Sequence, residues 1–174
     1  MKEDGVTGDR VVACRFRVPP LTARLVGRPA VEGMSAGYAR LCLQYVGAAC
    51  LRRGTVGLGD FTATARADPD TLRLARRLTV IEDGNPDPNA LSPQRVEIHL
   101  AEGRSVAAAV TAVLGSPERP LSPEAARAKF RNCWQSVHDL PPERETALWD
   151  GVFALETLDD VRPLAGLSAP RGAS

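Results

Sequence analysis

The stretch Ser35–Gly54, SAGYARLCLQYVGAACLRRG, decides how the rest of the chain is read. Ser35 is a good N-cap, because its hydroxyl can accept from an orphan backbone N–H of the first turn. Gly54 is a good C′ residue, since glycine takes the left-handed conformation without a Cβ clash. The spacing predicts one helix between them, with Arg52 and Arg53 favourably placed at its negative end. Leu41, Leu43, Tyr45, Val46, Ala48, Ala49 and Leu51 leave little polar surface, so this helix is expected to be buried on more than one side. Gln44 and Tyr45 stand polar-tipped in apolar company, and a buried amide or phenol must find a hydrogen-bond partner. Two readings follow: both bond a neighbouring backbone, or both face a ligand.

Before this helix, Val12, Cys14, Phe16 and Val18 alternate with Ala13, Arg15 and Arg17, which predicts a half-buried strand ended by Pro19 and Pro20. Leu21 to Met34 shows no clear periodicity and reads as a connection, with LVGRP as an extended piece. After the helix, the glycines Gly54, Gly57 and Gly59 match neither a Walker loop nor a dinucleotide fingerprint, and a turn into a short helix is expected. Asp68-Pro69-Asp70 begins a further helix with cap, proline and acid in the right order. Leu78–Ile81 is short and β-branched, a strand. Glu82–Pro93 has the composition of an exposed loop. Arg95–Leu100 and Ser105–Leu114 predict an antiparallel hairpin turning at Gly103, with His99 opposite the aliphatic face.

The 174 residues suit one ordinary domain, or one and a half smaller units. With 22 basic and 21 acidic residues intermixed, no basic patch argues for nucleic acid, and nothing suggests membrane-surface steering. No apolar run approaches the ~20 residues that span a bilayer. The polar N-terminus, MKEDGVTGDR, is not a secretory signal, so the cytoplasm is expected. Cys14, Cys42, Cys50 and Cys133 fall in no metal-ligand spacing and read as reduced thiols. No cofactor or metal is expected.

From Gly115 the texture changes to a linker, then a helix beginning at Ser122-Pro123-Glu124 and running to about His138, a second over Glu143–Leu155, and a last short turn over Leu158–Leu164. The expected fold is α+β. A small antiparallel sheet is covered on one face by the central and Asp68 helices in residues 1–118. A C-terminal helical hairpin follows in residues 119–168, and residues 169–174 form a disordered tail.

The order of these segments resembles the C-terminal half of the MmgE/PrpD family, which includes 2-methylcitrate dehydratase, cis-aconitate decarboxylase and iminodisuccinate epimerase. CLQYVGAACLRRGTVGLGDFT (Cys42 to Thr62) is similar to the family's SLQYxxAxALLxGxVxxxxFT segment. DPDTLRLARRLTV, PQRVEIHLAEGR and GSPERPLSPEAARAKFRNC continue the likeness in the family's order. The resemblance implies an α/β lid domain, then helices returning to a large all-α domain, with the active site in the cleft between them. It also implies that the family's acid–base histidines, aspartate and lysines lie in segments this chain starts after. Tyr45 maps onto the tyrosine of the S-L-Q-Y segment, which implies a catalytic role. Gln44, Cys42 (in place of the serine) and Arg40 are the accompanying candidates for substrate binding.

Such chemistry, lysis or isomerisation beside a carboxylate, needs a base, an acid and cations for the carboxylates. The chain offers Tyr45 and, as cations, the arginines Arg40, Arg52 and Arg53, but no convincing base. The first expectation is therefore the lid half of a lyase or isomerase acting on a small polycarboxylic acid, completed by a protein partner resembling the helical half. The second is a non-catalytic binding or scaffold module, self-associating through its last helices.

Overall fold

The computed structural model describes residues 5–137 and 140–169. The chain divides into two compact units, Met1–Pro120 and Leu121–Ser174.

The first unit is α+β, built on a four-stranded sheet of order β2-β1-β3-β4, where β1 is Val11–Val18, β2 Leu78–Glu82, β3 Gln94–Leu100 and β4 Ser105–Val110. The β1–β3 and β3–β4 pairings are antiparallel, as expected. The β1–β2 pairing is parallel, with Cys14 opposite Leu78, so the sheet is mixed. Parallel pairing follows from the connection: the intervening helices carry the chain back across one face before β2 begins. Cys14, Leu78, Ile98 and Leu100 point to that face and are buried against Ala48, Leu51, Leu74 and Ala75. Burying an aliphatic side chain of this size contributes ~1.5–3 kcal/mol. The opposite face carries Arg15, Arg17, Glu97 and His99, with His99 Nδ1 2.8 Å from Ser105 Oγ and its Nε2 3.4 Å from Arg15.

The helices are α1 (Pro20–Val26), α2 (Ala36–Arg40), α3 (Leu43–Arg53), α4 (Ala63–Arg66) and α5 (Pro69–Ala75). α1 falls where a connection was expected. Pro20 occupies its first turn, where a missing N–H costs nothing, and the Gly27 amide closes it on the Ala23 carbonyl at 2.8 Å. The predicted helix over Ser35–Gly54 is two helices. Ser35 caps the first, accepting from the Tyr38 amide at 3.2 Å, and Gly54 ends the second at φ 77°. Between them Cys42 is extended (φ −114°, ψ 99°) and forms an antiparallel bridge with Gly27. Glycine at position 47 lets α3 settle on the sheet, since a Cβ there would lie 2.7 Å from the Phe16 ring. α5 starts as expected, with Asp68 accepting from the Thr71 amide. In the loop 83–89, Asp83, Asn85 and Asp87 each accept from the amide two residues on, all at 2.9 Å.

The second unit holds α6 (Pro123–Val137), α7 (Pro142–Phe153) and α8 (Arg162–Ser168). The last starts four residues later than expected, behind Asp160, whose carboxylate accepts from the Arg162 amide. Glu145, 5% exposed, lies 3.5 Å from Arg127 and 3.4 Å from Arg131, tying α7 to α6. Phe130 stacks near Trp134 and meets Trp149, whose ring centroid is 4.6 Å from that of Phe153. His138 and residues 170–174 of the expected tail lie outside the described residues.

Candidate functional site

The break between α2 and α3 organises the surroundings of the four candidate residues. Because Cys42 leaves the helix, its Sγ–H donates to the Arg28 carbonyl at 3.2 Å while its own carbonyl accepts from the Val46 amide. Burial pushes the Cys42 thiol up, opposed by nearby amides and Arg28. Gln44, in the first turn of α3, uses both ends of its amide. Its Oε1 accepts from the Ala30 amide at 3.0 Å, and its Nε2 donates to the Leu78 carbonyl at 2.8 Å. It thereby pins the connection after α1 to strand β2.

Tyr45 is completely buried, and its hydroxyl donates to the Asp60 main-chain carbonyl at 2.5 Å. Its ring lies tilted against Phe61, centroids 6.2 Å apart. Burial raises the phenol above its ordinary pKa, with Arg53 and Arg66 pulling it back. Asp60, 8% exposed, pairs with Arg53 through one carboxylate oxygen and accepts from the Gly57 amide at 2.7 Å through the other. Arg66 donates to the Met34 carbonyl at 2.9 Å and to the Phe61 carbonyl at 2.5 Å. The turn over Gly57–Phe61 is thus held from below by Tyr45 and from the sides by Arg53 and Arg66.

Arg40 differs from the other three. It stands exposed at the end of α2 with its guanidinium 5.5 Å above the Phe61 ring, beside Leu41, which is also exposed. Of the four candidates it alone presents a charge to solvent. Tyr45 lies beneath the surface that Arg40 and the Gly57–Phe61 turn present, whereas Gln44 and Cys42 bond the connection after α1.

Sequence reasoning missed Asp60 and Arg66. The signal for Asp60 was present: Gly57-x-x-Asp60 places a carboxylate where it can return to the turn's first amide. Arg66 had none, because its acceptors are carbonyls brought together only by the fold. Two clefts of the unit lie elsewhere, one of about 370 Å³ between Asp9, Arg52, Asp70 and Arg73, another beside Glu32, Leu72 and Arg76. Among the described residues no group of three or more His, Cys, Asp or Glu side chains could hold a metal ion, and no helix is long and apolar enough to cross a membrane.

A mixed sheet backed on one face by short helices, with the buried Tyr45 bracing a turn, defines an α+β domain. The sequence matches the MmgE/PrpD C-terminal domain over residues 1–154, and the chain belongs to that family. No curated protein matches it.

Proposed function

We propose that this chain is the lid half of an MmgE/PrpD-like lyase or isomerase that acts on polycarboxylic acids without a cofactor, completed by a polypeptide resembling the family's helical half. The observation that carries this reading is the match to the family's C-terminal domain over residues 1–154. Two features support it. The polar groups of Tyr45, Gln44 and Cys42 are engaged with main chain, so proton transfer falls to residues of the partner. The second unit exposes Val152, Phe153, Leu155 and Val161, apolar surface of the kind another protein covers.

In this reading Arg40 attracts a substrate carboxylate, and Phe61 beneath it fixes the guanidinium plane. Tyr45 acts as a positioning residue, holding the Gly57–Phe61 turn through the Asp60 carbonyl. Co-expression with a helical-half polypeptide, followed by assay of the purified pair against tricarboxylates, tests the reading. Turnover is expected from the pair and from neither chain alone, and Arg40→Ala is expected to raise KM more than it lowers kcat. An inactive, stable pair favours the second reading, a binding or scaffold module, which the internal engagement of Tyr45, Gln44 and Cys42 also suits.

A further inference from the structure

Strand β4 ends the sheet, and it lacks every device by which edge strands usually avoid pairing. None of Ser105, Val106, Ala107, Ala108, Ala109 and Val110 is charged, none is proline, and the register against β3 runs from Ser105 to Val110 without a bulge. Five of the six are exposed. The opposite edge, β2, ends in Glu82 and continues into Asp83.

The register also shows which main-chain groups are free. The Leu100 amide bonds the Arg104 carbonyl at 2.9 Å next to the hairpin turn. Antiparallel alternation carries the inward-bonding role to Val106, Ala108 and Val110, and directs the amides and carbonyls of Ser105, Ala107 and Ala109 off the edge.

We propose that β4 is a self-association edge, pairing antiparallel with β4 of a second copy about a two-fold axis through Ala107. In that register Ala107 meets its symmetry mate, Ser105 meets Ala109, and Val106 lies beside Ala108 on the helix-backed face of both sheets. No charge is set against its like, because the nearest, Arg104, falls opposite Val110. A second copy fits better than a foreign peptide: strand addition takes its specificity from side-chain pockets, and three alanines offer little to grip. One strand pair buries less than the roughly 1,200–2,000 Å² of a standard interface, so the dimer forms reversibly with concentration.

Sedimentation of the full chain up to millimolar concentration tests this, and its outcome is independent of the lyase reading. The expected result is a monomer–dimer equilibrium that Ala107→Lys and Ala107→Asp each abolish and that mixing the two variants restores. Hydrogen exchange on the unsubstituted chain should show the Ala107 and Ala109 amides slowing as concentration rises, while Val106 and Ala108 stay unchanged. A chain that remains monomeric throughout, or a dimer that persists in both charge variants, overturns the proposal. If circular dichroism shows either variant misfolded, exchange decides: fast Ala107 and Ala109 amides at every concentration overturn it equally.

Discussion

The Tyr45 hydroxyl and the Asp60 carbonyl, 2.5 Å apart, join the interior of α3 to a turn fifteen residues further on. The phenol is buried and the acceptor is main chain, so the bond fixes where Phe61 and the overlying Arg40 stand.

Removing that bond while keeping the ring is therefore informative. Tyr45→Phe is expected to cost about 1–2 kcal/mol, because the Asp60 carbonyl loses its buried partner. Tyr45→Ala should cost roughly 3–5 kcal/mol through the cavity it leaves. Urea unfolding separates the two, and a Phe variant as stable as the parent would show the bond to be dispensable.

Gly47 predicts the opposite kind of damage. Alanine normally strengthens a helix by ~1 kcal/mol relative to glycine. Here a Cβ would sit 2.7 Å from Phe16 Cζ and 2.9 Å from Leu78 Cδ2. Overpacking costs about 1–3 kcal/mol, so Gly47→Ala should lower the unfolding midpoint. Phe16→Leu in the same chain should recover part of the loss by vacating the contact.

Asp68 should make stability depend on pH. Its carboxylate accepts from the Thr71 hydroxyl at 2.5 Å and the Thr71 amide at 3.2 Å and pairs with Arg52, which together hold its pKa below the ordinary carboxylate value. A depressed folded pKa gives stability that is complete above the ordinary carboxylate value. It is lost as pH falls from that value through the lower folded one. Asp68→Ala should cost about 1–2 kcal/mol at neutral pH through loss of the cap. The gap between variant and parent should narrow as solutions are acidified below pH ~4, and denaturant titrations across that range measure it.

Thiol labelling gives a fourth check. Cys14 is 1% exposed on β1, and burial pushes its thiol up to about 12, whereas Cys133 is exposed on α6. Maleimide at neutral pH should modify Cys133 promptly and reach Cys14 only on unfolding. Mass spectrometry of timed digests distinguishes the two.

Local signals are legible in the sequence. Ser35 and Gly54 cap as their chemistry dictates, Asp68-Pro69 opens α5, and Gly103 turns the β3–β4 hairpin at φ 82°. Each depends on neighbours within a few residues. The failures were tertiary. The interruption at Cys42 answers to Gly27, fifteen residues away, and nothing in LCLQYV breaks a helix by itself. The parallel β1–β2 pairing depends on how a sixty-residue excursion returns. Of the candidate site, Tyr45 and Gln44 were visible as polar residues in apolar company, and the first reading, a bond to backbone, describes both. Arg40's perch on Phe61 was invisible, because the two belong to different helical turns.

The inner position of β1 has a consequence for synthesis on the ribosome. Its two neighbours begin at Leu78 and Gln94, so the first strand of this unit waits with both edges bare until most of the unit has been made. A nascent chain with nothing beyond Pro93 outside the tunnel would carry β1 with at least one flank unpaired, and should need a chaperone that a chain emerged past Val110 would not.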